Sequence, residues 1–245
     1  QEVEHRPQRP RLGGGRLARL LAPRSLRPML DLLPAAIPPR QSWAAVNPPR
    51  GPRRARVALL TGCAQQVLEP DIATAAIAVL TREGVEVVVP AGQGCCGGLA
   101  WHTGDLAAAR SFARRNLDAF PADVDAVVTT AAGCGSAMHE YHLVLRGTPD
   151  EGRADAFRRR VVDVAAFLAT LGLREPLRAT PLKVAYQDAC HLANAQGVRR
   201  QPRDLLRAIP GVELLEIADE HLCCGSAGTY NLDQPEIAAA LGERK

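Results

Sequence analysis

A chain of 245 residues has room for one large domain or two small ones, and a composition 47% hydrophobic and 23% charged excludes a disordered polypeptide. Aromatics are only 4%, too few for a base-stacking nucleic-acid platform, and no run reaches the roughly 18 apolar residues that span a bilayer. The net charge of +4 hides a split: twelve arginines and three acids lie in residues 1–56, so the rest is net acidic, which argues against a nucleic-acid partner.

Residues 1–56 read as an Arg/Pro-rich, partly helical linker. PQRPRLGGG carries breakers and no periodicity. Leu17, Leu20 and Leu21, then Leu26, Met29, Leu30 and Leu33, predict two short amphipathic helices that stop at Pro34. IPPRQ and NPPRGPRR read as extended connections. With Gln1 first and no signal-peptide pattern, the expectation is a segment that joins a preceding domain of a longer protein to the α/β region beyond it.

From Arg56 strands alternate with helices. Val57–Thr61 is predicted as a strand. Ile72–Arg82 has helical spacing, with Asp71 as N-cap and Gly84 as stop. Val85–Val89 is almost pure valine, as a strand buried on both faces would be. Asp105–Phe120 is predicted as a helix, Val124–Thr130 as a strand, and Ser136–Leu145 and Ala154–Leu171 as helices, the last ending at Gly172. Lys183–Gln187, Pro202–Ala208, Val212–Ile217 and Pro235–Leu241 restart the cycle. The expected fold is α/β: two tandem Rossmann-like parallel-sheet repeats, 57–181 and 182–245, related by pseudo-twofold symmetry. The second repeat is expected to be cut short, which would leave an unpaired strand edge.

Seven cysteines carry the strongest pattern. Cys63 lies 32 residues before Cys95, and Cys190 lies 33 before Cys223. Matching positions are offset by 127, 128 and 128 residues through Cys63/Cys190, Cys95/Cys223 and Cys96/Cys224. An internal duplication that carries its cysteines along explains this. Each cysteine, Cys134 included, falls at the carboxyl end of a predicted strand, where ligands of α/β sheets collect. Nearby helix N-termini favour thiolate over thiol, and glycines at 94, 97, 98, 133, 135, 225 and 228 let backbone approach a bulky centre.

Convergent thiolates hold zinc or iron–sulfur centres. Disulfides fit poorly: the count is odd, and adjacent cysteines place their Cα atoms about 3.8 Å apart, below the usual disulfide range. Structural zinc normally uses C-x₂₋₄-C knuckles, which neither Cys-Cys pair forms. Buried inert thiols are the bland alternative. An iron–sulfur centre fits the pattern best, with Cys63, Cys95, Cys96 and Cys134 as one complete set and Cys190, Cys223 and Cys224 as a second, incomplete one.

GCCGG after a strand, with TGC upstream and GCG downstream, resembles the cysteine-rich CCG domain of heterodisulfide reductase and its relatives. LCCGSAGTYNLDQPEIAAALGERK, with VALLTGCAQQVLEPDIATAAIAVLTREGVEV, is most similar to the iron–sulfur subunits of glycolate oxidase (glycolate dehydrogenase), from about residue 40 to the end. The resemblance implies an oxidoreductase subunit holding an iron–sulfur cluster of the 4Fe-4S type. It implies electron relay from flavin-containing glycolate oxidase subunits toward a membrane acceptor. It also implies a cytoplasmic place at the inner face of the cell membrane, with peripheral contact made through the complex. Relatives in the superfamily serve lactate, glycerol-3-phosphate and succinate oxidation or reduce heterodisulfides. Two departures stand out. The fullest CCG pattern ends in C-x-x-C, but Ala137 follows Cys134, and the second repeat's last cysteine would fall beyond Lys245. Family members also carry a ferredoxin-like amino-terminal domain whose cysteine runs do not occur here. A cluster-free docking module and a thiol–disulfide enzyme acting through the Cys-Cys pairs are the competing readings.

Other candidates are weaker. His191 and His221 adjoin second-repeat cysteines, His102 follows the Gly97–Gly98 pair, and His139 and His142 lie three apart on a helix. Asp188 precedes Cys190. Arg158–Arg160 reads as a solvated helix face. Serine-hydrolase and dinucleotide-binding readings find no anchor.

Overall fold

The computed structural model describes residues 21, 23, 41–174, 177–215, 217, 218, 220, 222–226 and 228–245. Except for Leu21, the two helices expected between Leu17 and Leu33 lie outside these residues, as does His221.

A five-stranded sheet organises residues 46–171. Its strands are β1 (Val46–Asn47), β2 (Ala55–Leu60), β3 (Val85–Val88), β4 (Ala126–Thr129) and β5 (Val161–Asp163), in the order β1-β3-β2-β4-β5. All neighbours are parallel except β1, which pairs antiparallel with β3, Val46 opposite Val88. The chain moves outward from β2 to β3, then returns past β2 to β4. That reversal opens a crevice between the carboxyl ends of β2 and β4.

Alternation along β2 divides the core into two layers. Val57 and Leu59 pack with Ala73, Ile77 and Leu80 of α2 (Asp71–Arg82) and with Leu168 of α8 (Val164–Leu171). Ala58 and Leu60 face the other way. They meet α4 (Leu106–Ala119), α5 (Ala132–His139), α6 (Tyr141–Val144) and α7 (Glu151–Arg158), whose Phe120, Tyr141 and Phe157 rings stack or meet edge-on. Each fully buried large aliphatic contributes about 1.5–3 kcal/mol, so this two-sided burial holds the loops at the strand ends in place.

Two short helices complete this half: α1 (Gln65–Leu68) after β2 and α3 (Gly98–His102) after β3. Beyond residue 181, β6 (Leu182–Ala185) and β7 (Val212–Leu215) form a separate parallel pair, Leu182 opposite Val212. With them come a π-helical turn (His191–Ala195), α9 (Arg200–Arg207), α10 (Tyr230–Asp233) and α11 (Pro235–Arg244). The fold is mixed α/β with a largely parallel sheet.

Four local expectations are corrected. Part of the segment read as linker belongs to the sheet: Val46–Asn47 is its edge strand, and Trp43 Nε1 donates to Thr74 Oγ1 at 3.0 Å. The helix expected over Ala154–Leu171 is interrupted, because Val161 and Val162 pair with β4 and Asp163 caps a new helix by accepting the Ala165 N–H at 2.8 Å. The Ser136–Leu145 helix is two pieces that break at Glu140. Asp71 lies in the first turn of α2 without capping it, whereas Asp105 caps α4 through the Ala108 N–H.

Burial raises the Asp163 pKa, against the lowering effect of its bonds to the Ala165 and Ala166 amides. The folded state therefore holds this proton more tightly than the unfolded one, and the stability that adds is lost as pH rises through the raised value. At neutral pH the cap remains and the charge is partly desolvated. Asp163→Ala is expected to cost about 1 kcal/mol in urea melts, and Asp163→Asn, which keeps an acceptor and drops the charge, distinctly less.

Candidate metal centre

The turn after β2 carries Cys63, the loop after β3 carries Cys95 and Cys96, and the first turn of α5, after β4, carries Cys134. The loops are brought together by polar side chains inside the apolar core. Gln93 accepts the Thr61 N–H at 2.9 Å and donates to the Leu59 carbonyl at 3.1 Å, fastening the Cys95 loop to the end of β2. Asn116, fully buried on α4, accepts from Gly94 N at 3.0 Å and donates to the Cys95 carbonyl at 2.9 Å and to Tyr141 Oη at 2.9 Å. Tyr141 Oη donates to the Cys96 carbonyl at 2.9 Å. Thus the side-chain hydrogen bonds of this buried pair either join the two residues or fasten the backbone of Gly94, Cys95 and Cys96.

The first-half thiols lie near enough to act on one another electrostatically: Cys95 and Cys96 act on Cys63, Cys134 and Cys95 on Cys96, and Cys96, Cys63 and Cys95 on Cys134. Desolvation, and then the bond to Cys95, raise the Cys63 pKa. The bond to Cys134, and then burial, push Cys96 up strongly. Accepting from Cys96 lowers Cys134 against its burial, so Cys134 gives up its proton more readily than a free thiol.

Backbone N–H groups also aim at sulfur. Gly97 N donates to Cys95 Sγ and Gly98 N to Cys96 Sγ, each at 3.4 Å. Gly97 adopts φ +78°, which an L side chain resists, and a methyl there would meet Phe112 Cβ at 3.0 Å. The same device recurs after β7: Gly225 N donates to Cys223 Sγ at 3.4 Å with φ +80°, and a methyl at Gly225 would lie 2.3 Å from the Ala238 carbonyl of α11.

Cys190 and Cys224 are exposed, Cys223 is half-buried, and no sulfur–sulfur bond joins the three among the described residues. Cys190 borders a cavity of about 470 Å³ with Asp188, Asn194, Arg199 and Glu220. Arg203 binds Asp188 at 2.7 Å and Glu220 at 2.8 Å and covers the Tyr186 ring. The first four cysteines thus follow β2, β3 and β4 of one sheet, and the last three follow β6 and β7 of the other.

Four thiols with amide N–H bonds at two of them are the donor chemistry of an iron–sulfur centre. They are not a single tetrahedral shell: among the described residues, no group of three or more His, Cys, Asp or Glu is set to hold one metal ion. Ala137, where the fullest pattern has another cysteine, is buried, and a methyl on Gly98 would meet its Cβ at 3.0 Å.

The histidines divide. His142 Nδ1 contacts the His139 carbonyl, and desolvation and then Arg158 depress the His139 pKa, so this pair is structural. His102 and His191 stack with centroids 5.5 Å apart, joining the two halves, and His102 lies 3.7 Å from Glu140. One expectation from the sequence is amended. Gly92–Gly97, GQGCCG, does spell G-x-G-x-x-G, but its variable positions include both thiols and the helix after it is only five residues, so it serves sulfur rather than a dinucleotide.

The profile of the cysteine-rich CCG domain matches residues 57–139 and 184–245, more than half of the chain. The chain belongs to the CCG family. Among curated proteins, this CCG chain is 37% identical to the "Probable glycolate oxidase iron-sulfur subunit" of Bacillus subtilis (strain 168), over 81% of the chain and 46% of that protein. It is 35% identical to the "Glycolate oxidase iron-sulfur subunit" of Escherichia coli (strain K12), over 90% and 55%. It is also 35% identical to a subunit of the fumarate reductase (CoM/CoB) of Methanothermobacter marburgensis, over 78% and 37%. The CCG chain thus spans about half the length, or less, of these relatives. Its similarity is to iron–sulfur subunits of oxidoreductases. No helix among the described residues is long and apolar enough to cross a membrane.

Proposed function

We propose that this chain is an electron-relay part of a glycolate oxidase, with Cys63, Cys95, Cys96 and Cys134 as ligands of an iron–sulfur cluster of the 4Fe-4S type. The observation that supports the reading is that the segments bearing these four cysteines follow the adjacent strands β2, β3 and β4, with the Cys95–Cys96 backbone fastened by the buried Asn116–Tyr141 pair. When bound, such a cluster supplies reversible one-electron storage. The chain's own groups set the terms: Cys134 gives up its proton more readily than a free thiol, and the Gly97 and Gly98 amides relieve negative charge on the Cys95 and Cys96 sulfurs. Electrons come from flavin-containing subunits that oxidise glycolate and leave toward an acceptor at the inner face of the cell membrane.

The second half reads as a shorter copy of the first, with Cys190, Cys223 and Cys224 as a second, incomplete ligand set. The matching offsets and the shared Cys-Cys-Gly geometry at Gly97 and Gly225 support this. Similarity to a fumarate reductase subunit keeps a second reading in view, the same relay in an oxidoreductase of another substrate.

The test is anaerobic reconstitution with iron and sulfide, then addition of the flavin-containing subunits and glycolate. The expected result is an iron-retaining brown protein whose cluster absorbance bleaches with glycolate. Bleaching with lactate but not glycolate selects the second reading, and no iron after desalting overturns both.

A further inference from the structure

The π-helical turn His191–Ala195 begins beside Cys190, and Gln196 at its end reaches into the first half. Gln196 Nε2 donates to the Ala132 carbonyl at 2.9 Å, in the same first turn of α5 that carries Cys134. The approach depends on Gly135: a methyl there would lie 2.8 Å from Thr129 Oγ1 and 2.9 Å from both Gln196 amide atoms. The His102–His191 stack closes the same junction.

This contact is poorly explained as a stabiliser. Gln196 Oε1 and Thr129 Oγ1 are buried with no hydrogen-bond partner among the described residues. One bond made and one acceptor orphaned come close to cancelling. A contact kept at no net gain in stability, ending on the helix turn of a thiol, is suited to holding position. We propose that Gln196 is a positioning residue through which the Cys190 turn of the second half sets the placement of Cys134 in the first. The consequence for Cys134 as a ligand rests on the function proposed above; the placement itself does not.

The experiment uses the metal-free full chain and follows alkylation of each cysteine by iodoacetamide with mass spectrometry. Gln196→Met keeps length and bulk and removes the donor. It should leave the melting temperature within about 2 °C. Cys134 alkylation should change about fivefold, the factor one ordinary hydrogen bond is worth, while Cys63 and Cys224 hold their rates. Gly135→Ala, whose methyl crowds both Gln196 and Thr129 Oγ1, should change Cys134 alkylation at least as much, and the double variant should add nothing to Gly135→Ala alone. Unchanged Cys134 alkylation in Gln196→Met overturns the proposal. So does a general rise at all seven cysteines with a lowered melting temperature, which marks a merely structural role. Additive effects of the two substitutions overturn it as well. Failure of the unaltered protein to hold iron strikes the relay function and leaves this measurement readable.

Discussion

Serine in place of Cys96 or Cys134 is expected to abolish iron retention at the first-half site, while Cys190→Ser leaves that site loaded. Cys96 is acted on by both Cys134 and Cys95, and it is buried against the Phe120–Tyr141 layer. A serine hydroxyl is harder, shorter and far less acidic than a thiol, so it replaces neither the charge nor the reach. Outer partners of a metal ligand commonly cost 10–100-fold in affinity, and loss of a ligand itself is expected to exceed about 100-fold. Iron per chain after desalting, measured for each single variant, checks this. Equal losses from Cys190→Ser and Cys96→Ser would mean that the seven thiols act as one site.

The second large effect concerns the clamp. Asn116→Leu keeps side-chain volume but strands the partly buried Gly94 N–H and Cys95 carbonyl and removes the bond that Tyr141 Oη accepts, leaving that hydroxyl only its bond to the Cys96 carbonyl. Buried orphans cost about 1–3 kcal/mol each, so the expected loss is about 3 kcal/mol, with the melting temperature lowered by roughly 6–12 °C. Tyr141→Phe removes one donor and should cost about 1–2 kcal/mol. In both variants, first-half iron retention should fall alongside stability, because the stranded groups flank the Cys-Cys peptide. Thermal melts paired with iron assays test the link. A destabilised variant that binds iron normally would separate the clamp from the site.

Much of the sheet could be read from the chain because its strands are short, valine-rich and bounded by glycine. The spacing of the cysteines placed them correctly at strand ends. What escaped were features decided by pairing rather than pattern. Val161–Asp163 lies within a stretch of helical periodicity and becomes a strand because β4 offers an open edge. Val46–Asn47 is too brief to announce itself among prolines. Asn116 did leave a trace: it is a polar residue on the α4 stripe formed by Ala109, Ala113 and Leu117. Its task depends on Gly94, Cys95 and Tyr141, which are distant in sequence. Gln196 left none, since its partner is a backbone carbonyl and its path is an absent side chain at Gly135.

The switch of strand order across the sheet between β3 and β4 also has a bearing on biogenesis. While the polypeptide is being synthesised, Cys63, Cys95 and Cys96 emerge well before Cys134, which comes to them only once β4 has docked beside β2. Such non-local pairing is among the slower events of folding. On the function proposed above, loading of the centre is expected to follow acquisition of the native sheet, since Cys134 joins the other three only once β4 is in place.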